Sequence, residues 1–189
     1  MHNKLPKIYH FINNLNIQEV LKLNNKIALI YRNYEKIPSD NEIITFKRFC
    51  KSKKRKFIIS KYYDLVIKHD LDGFYIPSFD KNINFKILNK NKKFIVIGSA
   101  HNYKEIKCKI RQGVQQVFVS PIFKVKKSNN SLGLNKFIKL KLYSKIPIIA
   151  LGGLNAKNYK YANLSLPNGY ATLNSVNDFN INTRLLYEA

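Results

Sequence analysis

Two polar segments near the C-terminal end of the chain contain residue types that bind phosphate groups. One contains Gly152 and Gly153 followed by Asn155, and the other begins with Asn174 and Ser175. Paired glycines let backbone amides approach a ligand closely, and the free N–H groups at the start of a helix capped by Asn155 would attract an anion. If the two segments are neighbours in the fold, they predict a phosphate-binding cup. The alternative is a pair of turns that bind nothing.

Cationic and hydroxyl groups occur in other segments that could bind a second anion. Arg32 follows an apolar run, and a guanidinium group can form paired hydrogen bonds with phosphate oxygens. Ser99 and His101 follow another such run and could contact a phosphate or a leaving group. Lys126 and Lys127 lie in a long loop without hydrophobic periodicity, where they could neutralise a diphosphate. The alternatives are a surface arginine, a helix cap at Ser99 or His101, and a disordered lysine-rich loop.

Each of these segments follows a short apolar, β-branched or aromatic run, which is typical of a strand buried on both faces. Amphipathic stretches lie between the runs. One of them has Ile43, Phe46 and Cys50 at helical spacing, and another begins with Asn16 and Glu19 in the positions of a capping box. The runs predict eight strands, at residues 7–11, 26–31, 56–60, 73–77, 93–98, 116–120, 147–151 and 169–174.

The alternation of strands and helices with short connections requires parallel neighbouring strands and right-handed crossovers. Eight such units predict an α/β fold, a small (β/α)8 TIM barrel, in which the functional residues follow the strands. We expect a single domain over residues 1–189, although this length is slightly below the usual minimum of about 200 residues. An open, doubly wound sheet is the alternative architecture.

The composition is strongly basic, with a formal net charge of +23 at pH 7. Such a charge favours a nucleic-acid partner when the basic residues are clustered. Here the lysines are dispersed, with one dense run from Lys51 to Lys56 that we expect to be a solvated turn. The accompanying abundance of Asn, Ile, Tyr and Phe indicates a compositional bias. We therefore do not expect a nucleic-acid partner, but a basic surface would attract anionic substrates.

The remaining composition predicts an ordinary intracellular globular protein. Cys50 and Cys108 match no metal-binding or redox spacing, so we expect both to be buried thiols. The N-terminus lacks the apolar stretch of a signal peptide, and no run reaches the roughly 18 apolar residues of a membrane span. We expect a cytoplasmic protein without a membrane partner. The sequence leaves open whether it forms a homo-oligomer.

Three segments in order give the chain a resemblance to a known family. Residues 98–101 (Gly-Ser-Ala-His), 120–123 (Ser-Pro-Ile-Phe) and 148–154 (Ile-Ile-Ala-Leu-Gly-Gly-Leu) are similar to the thiamine-phosphate synthase family, which includes the thiazole tautomerases. The resemblance extends from about Lys7 to Val176 and implies a (β/α) barrel. It further implies a transferase that joins a hydroxymethylpyrimidine diphosphate to a thiazole phosphate. The products are thiamine monophosphate and pyrophosphate, and Mg²⁺ assists the reaction.

The resemblance also implies roles for individual residues. Arg32 corresponds to an arginine that contacts the diphosphate, and Ser99 to the serine after the fifth strand. Asp80 corresponds to a metal-binding aspartate after the fourth strand. Gly152 and Gly153 correspond to the cup for the thiazole phosphate, with Asn174 and Ser175 in its second loop. Arg32, Ser99 and His101 are the candidate catalytic residues, and small phosphorylated compounds are the expected substrates.

Several positions depart from the family pattern. Ser60 and Lys61 occupy the positions of an Asn-Asp pair whose aspartate binds Mg²⁺. Lys61 either takes over part of the metal's role or shows that the role is lost. Ile30 and Tyr34 replace a glutamine and a lysine, and Pro121 replaces the histidine of the tautomerase branch.

Three hypotheses follow from these departures. The first is a working thiamine-phosphate synthase, and the second is a catalytically degenerate paralogue that binds a phosphorylated ligand. The third is a basic nucleic-acid-binding protein, suggested by the net charge of +23.

Overall fold

The strands form a closed parallel barrel. A computed structural model of the protein describes residues 5–83, 94–125, 130–155 and 157–173. Each strand pairs with the next one along the chain, and the last strand pairs with the first. The eight strands are Ile8–Ile12 (β1), Ala28–Tyr31 (β2), Phe57–Ser60 (β3), Gly73–Ile76 (β4), Ile95–Ala100 (β5), Gln116–Val119 (β6), Ile148–Leu151 (β7) and Gly169–Thr172 (β8). The predicted TIM barrel is confirmed, and the alternative of an open, doubly wound sheet is wrong.

Helices occupy most of the connections between the strands, as the alternating pattern predicts. In the described residues they are Ile17–Val20 (α1), Asp40–Ser52 (α2), Tyr63–Lys68 (α3), Tyr103–Arg111 (α4), Gly133–Tyr143 (α5) and Tyr159–Leu164 (α6). Most are short, which is how a (β/α)8 barrel is built from a chain of this length. The predicted capping at Asn16 is confirmed, since its side chain accepts a hydrogen bond from the backbone N–H of Gln18.

The fifth strand differs from its predicted bounds in a way that affects the site. It was expected to end at Gly98, but β5 continues to Ala100. The β5–β6 ladder pairs Ser99 with Phe118 and Ala100 with Val119, so the neighbouring strand extends the parallel hydrogen bonding by two residues. Ser99 therefore lies within a strand and is held more firmly than a loop residue.

The barrel interior is filled with large side chains. Its aromatic centre is formed by Tyr9, Phe11, Tyr75 and Phe118, whose ring centroids lie 4.8–5.9 Å apart in the contacting pairs. The Tyr9 hydroxyl donates a hydrogen bond to the Gln116 side chain, which satisfies the polar end of a buried ring. Along each strand, every second side chain faces outward and packs against the helices. The strands are therefore buried on both faces, as their continuous apolar runs predict.

One basic residue of the run from Lys51 to Lys56 is not solvated as predicted. Arg55 is only 3% exposed, and its guanidinium donates to the backbone oxygens of Val20 and Leu23 at 3.1 and 2.5 Å. Val20 is the last residue of α1, and its carbonyl also accepts from the backbone N–H of Leu23 at 3.1 Å. Carbonyls at a helix end need donors from outside the helix, and the buried guanidinium supplies them, which overrides the preference of an arginine for solvent.

The predicted environment of the cysteines is confirmed for one of them. Cys50 is buried on the apolar face of α2, and burial raises the pKa of its thiol to about 12. Cys108 is only partly buried, because it lies beside rather than on the face of α4 that contacts the barrel. Among the described residues, no helix combines the length and the apolar character needed to cross a membrane.

We predict that His10 makes the fold less stable in mild acid. Burial, together with the charge of Arg55, lowers the pKa of His10 from 6.5 to about 4. Between these two values the unfolded chain binds a proton that the folded protein does not, so the free energy of unfolding should fall as the pH decreases from 6.5 to 4. When the free energy of unfolding is measured by urea denaturation across this range, it should depend less steeply on pH in His10→Leu than in the wild type. Parallel curves for the two proteins would contradict the prediction.

Candidate functional site

A cavity of about 890 Å³ opens at the C-terminal end of the barrel. In a parallel barrel every strand ends on this side, so residues distant in sequence converge there. The volume lies within the range of pockets that bind small molecules. Among the described residues the lining consists of Arg32, Tyr34, Tyr75, Pro77, Ser78, Phe79, Ser99, His101, Ser120, Pro121, Val125, Asn130, Ser131, Leu132, Lys136, Leu151, Gly152 and Leu173.

Arg32 is the first residue after β2, and this position places its side chain in the cavity. Its backbone N–H donates to the carbonyl of Ile12 at 2.8 Å and thereby extends the contact between β1 and β2. Its guanidinium carbon lies 4.7 Å from the centroid of the Phe11 ring. The N–H groups of such a guanidinium point outward in its own plane, where hydrogen bonding involves the Tyr75 side chain and further N–H groups can bind an anion. The structure thus places Arg32 where the sequence predicts it.

Ser99 and Tyr75 form the floor of the cavity beside Arg32. Ser99 is 5% exposed, and Tyr75 is 2% exposed. Burial raises the pKa of Tyr75 to about 12, although hydrogen bonding with Ser99 and the charge of Arg32 oppose this shift. The Tyr75 hydroxyl is therefore protonated at neutral pH and can donate a hydrogen bond to a ligand.

His101 links three of the loops around the cavity. Its Nδ1 lies 2.7 Å from the carbonyl oxygen of Ser120, and its Nε2 lies 3.1 Å from the Ser78 hydroxyl. A carbonyl oxygen only accepts, so Nδ1 must carry a proton, and in the neutral ring Nε2 accepts from Ser78. The expected alternative, a helix cap at His101, is wrong because Asn102 caps α4 through the backbone N–H of Glu105.

The glycine pair after β7 packs tightly against the loop after β6. Gly152 and Gly153 have φ angles of 90° and 70°, which favour glycine. A Cβ atom at Gly153 would lie 2.5 Å from the carbonyl oxygen of Phe123. Only residues without a side chain therefore allow the two loops to meet at the edge of the cavity.

The helix start predicted directly after these glycines is wrong. Asn155 accepts hydrogen bonds from the backbone N–H groups of Lys157 and Asn158 at 2.9 and 3.1 Å, but α6 begins only at Tyr159. The Asn155 side chain therefore closes a turn that precedes the helix. Any anion at this loop would meet the amides of the glycine turn rather than a helix N-terminus.

Some predicted site residues lie outside the described residues, namely Lys126, Lys127, Asn174 and Ser175. Their described neighbours Val125 and Leu173 both line the cavity. Their roles in binding a phosphate group stay predictions.

The described residues do not form a closed metal site. They contain no group of three or more His, Cys, Asp or Glu side chains that could hold an ion. The Asp80 carboxylate accepts hydrogen bonds from the Tyr63 hydroxyl at 2.9 Å and from the backbone N–H of Asn82 at 3.0 Å, and it is not part of the cavity lining. Mg²⁺ is often held by one or two carboxylates together with substrate phosphates. Asp80 is therefore consistent only with an ion that is shared with a bound diphosphate.

Ser60 and Lys61, the two residues that depart from the family metal site, lie apart from the cavity. Ser60 is buried, and its hydroxyl has no hydrogen-bond partner in the described residues. The Lys61 ammonium lies 5.9 Å from the centroid of the Tyr62 ring, and Lys61 has a φ of 69°. The Lys61 side chain is exposed and does not line the cavity.

The sequence analysis missed several residues that shape the site. Ser78 and Phe79 follow β4, and their position after a strand could have identified them. Phe79 lies in an edge-to-face contact with Tyr34, with 5.8 Å between the ring centroids. Lys136 lies on α5, and nothing in its sequence surroundings distinguishes it from other lysines. Together with Arg32 it makes the cavity basic, and the described lining contains no carboxylate.

Comparison with known proteins assigns the family. The family model described as thiamine monophosphate synthase matches residues 16–174. The chain belongs to this family. A thiamine-phosphate synthase from Prochlorococcus marinus is 31% identical over 147 residues, which are 74% of this chain and 42% of that protein. A provisionally named thiamine-phosphate synthase 2 from Aquifex aeolicus is 25% identical over 83% of this chain and 90% of that protein.

A solved structure supports the architecture found here for this member of the thiamine monophosphate synthase family. Thiamine phosphate pyrophosphorylase from Pyrococcus furiosus superposes with a TM-score of 0.75 over 97% of this chain and 94% of that chain. The identity is 19%, so this likeness concerns the fold. The chain spans less than half the length of the Prochlorococcus relatives that it matches.

We predict that Gly153→Ala destabilises the protein more than Gly133→Ala. Both glycines have φ angles near 70°, so each alanine should cost about 1–2 kcal/mol in the left-handed conformation. A Cβ at Gly133 meets no atom within 4 Å, whereas one at Gly153 collides with the loop after β6. The difference between the unfolding free energies of the two variants, measured in urea, gives the cost of that collision. Equal losses for the two variants would contradict the contact between the loops.

Proposed function

We propose that this chain is a transferase that joins a hydroxymethylpyrimidine diphosphate to a thiazole phosphate to form thiamine monophosphate and pyrophosphate. Family membership supports this activity. The observation that supports it most is the placement of Arg32 and the Gly152 turn in one basic cavity of about 890 Å³. That cavity is large enough for two small substrates and has one candidate anion site for each.

The diphosphate is assigned to the side of the cavity that contains Arg32. Its guanidinium is held on the Phe11 ring and can form paired hydrogen bonds with phosphate oxygens. The hydroxyls of Ser99 and Tyr75 lie beside it and can donate to further oxygens. The phosphate of the thiazole is assigned to the amides around Gly152 and Gly153, completed by Asn174 and Ser175.

The reaction that we propose needs positioning and charge stabilisation rather than a protein nucleophile. The bond between the pyrimidine methylene carbon and the diphosphate oxygen breaks, and pyrophosphate leaves with the bonding electrons. The thiazole nitrogen then forms a bond with the resulting carbocation. Arg32 stabilises the charge that develops on the leaving diphosphate, and the aromatic wall formed by Tyr34 and Phe79 can hold a planar ring. Lys126 and Lys127 are proposed to add positive charge to the same group.

His101 is assigned a supporting role at the reacting centre. Because its Nδ1 proton is held by the Ser120 carbonyl, the ring orients the Ser78 hydroxyl at the cavity wall. Mg²⁺ bound to the diphosphate would supply further charge neutralisation, and Asp80 is the proposed protein ligand of such an ion.

The decisive experiment is to mix the purified chain with both precursors and to measure thiamine monophosphate by mass spectrometry. It is run over a wide range of Mg²⁺ concentrations and with a chelator. Product formation with release of equimolar pyrophosphate would support the proposal. Folded protein that forms no product at any Mg²⁺ concentration would overturn it, and retained binding of the thiazole phosphate in calorimetry would then indicate a degenerate paralogue.

We predict that Arg32→Met lowers kcat/KM by a factor of about 10² to 10³, as expected for the loss of one preorganised charge at the leaving group. Arg48→Met is the matched control, because Arg48 is an exposed residue of α2. It should leave kcat/KM unchanged. Equal effects of the two substitutions would show that Arg32 acts only through the overall charge of the protein.

A further inference from the structure

A lysine ammonium is buried beneath the loop that follows β4. Lys109 belongs to α4 and is 0% exposed. Its Nζ donates to the backbone oxygens of Pro77 at 2.6 Å and Asp80 at 2.7 Å. A buried cation is costly unless several acceptors compensate it, and here two carbonyl oxygens of one loop do so.

A second side chain from the same helix end holds the same loop. Gln112 is 0% exposed and caps α4 at its C-terminal end. Its Nε2 donates to the backbone oxygens of Asp80 at 3.0 Å and Asn82 at 2.8 Å. Residues 77–82 are called the β4 loop. Lys109 and Gln112 together donate hydrogen bonds to three of its backbone oxygens, those of Pro77, Asp80 and Asn82.

The barrel wall leaves room for this arrangement. A Cβ atom at Gly98 of β5 would lie 2.9 Å from the Cδ of Lys109. The glycine thus allows the lysine stem to pass between α4 and the sheet. Burial lowers the pKa of Lys109 to about 8, so the charged form still predominates at neutral pH. The β4 loop consequently rests on a charged donor rather than on apolar packing alone.

The β4 loop places Ser78 and Phe79 in the lining of the cavity and carries Asp80, which does not line it. The Ser78 hydroxyl lies 3.1 Å from His101 Nε2, and Phe79 packs edge-to-face on Tyr34 in the cavity wall. The Asp80 carboxylate is held by the Tyr63 hydroxyl at the outer end of the loop. The positions of all three depend on the backbone that Lys109 and Gln112 bind.

We propose that Lys109 and Gln112 are positioning residues that fix the β4 loop so that Ser78 and Phe79 face the pyrimidine diphosphate in the correct geometry, while Asp80 keeps its place at the outer end of the loop. This proposal rests on the proposed function, because the diphosphate is the ligand of that reaction. Neither residue touches the cavity, so both act through the backbone of the loop.

The test compares Lys109→Met with Lys104→Met in the full chain. Lys104 is an exposed residue of the same helix, so the control removes the same charge from the surface. Hydrogen exchange measured by mass spectrometry reports on residues 77–82 without requiring activity. We expect exchange in the β4 loop to become at least about tenfold faster in Lys109→Met, while the strands keep their protection. Lys104→Met should match the wild type.

Ligand binding provides the second measurement. The dissociation constant of inorganic pyrophosphate, measured by calorimetry, should rise about tenfold or more in Lys109→Met, as expected for the loss of an ordered loop contact. With both precursors, KM for the pyrimidine diphosphate should rise while KM for the thiazole phosphate stays constant. If Lys109 had only a structural role, its replacement would raise KM for both substrates alike. Gln112→Leu should give the same pattern and replaces Lys109→Met if that variant does not fold.

The possible results separate this proposal from the proposed function. Unchanged exchange in the β4 loop of a folded Lys109→Met would overturn the positioning role, as would equal effects in Lys104→Met. If the wild type binds no pyrophosphate and forms no product, the proposed function fails. The positioning proposal concerns orientation toward that diphosphate, so it too would fail if the wild type binds no pyrophosphate. Faster hydrogen exchange of the β4 loop in Lys109→Met would still show that Lys109 orders the loop.

Discussion

The pairing of β8 with β1 is the contact on which the rest of the structure depends. It brings Ile8 opposite Tyr170 and His10 opposite Thr172, and it closes the sheet so that no strand edge remains. The parallel strands all end on one side, and closure arranges these ends in a ring, where the side chains after β2, β4, β5, β6 and β7 meet. A residue such as Arg32 can share a cavity with Gly152 only because the sheet is closed.

The packed side chains in the interior of the barrel form a rigid floor beneath the cavity. Phe11 contacts both Tyr75 and Phe118 and at the same time supports the Arg32 guanidinium. Since the packing of such a core fixes each ring, the charge of Arg32 is held in place before a ligand arrives. The cavity is basic in its described lining, and the carboxylate of Asp80 accepts a hydrogen bond from Tyr63 outside that lining. An anionic ligand is therefore the complement that the cavity favours.

The chain belongs to the thiamine monophosphate synthase family and departs from the expected pattern at Ser60 and Lys61. Lys61 lies over the Tyr62 ring, and its charge does not line the cavity. The β4 loop, by contrast, is supported by the buried cation of Lys109. Lys109 thus orders one side of the cavity through the backbone of the β4 loop.

The sequence by itself determined the eight strands, their order and the barrel, because buried parallel strands require continuous apolar runs and short connections force parallel pairing. It also placed Arg32, Ser99, His101 and Gly152 at the ends of strands, and the structure brings these four into one cavity. It did not determine the end of β5, because β6 continues the ladder, or the burial of Arg55, because distant carbonyls require its donors.

Only the tertiary structure decided the roles of Lys109, Gln112 and Lys136. In a chain with 34 lysines and arginines, nothing local distinguishes a buried lysine from an exposed one. The roles of Lys109 and Gln112 arise from hydrogen bonds with residues about 30 positions away in sequence, such as Pro77 and Asp80, and Lys136 acquires its place only where α5 borders the cavity. Such contacts exist only after the sheet has closed and the helices have packed on it.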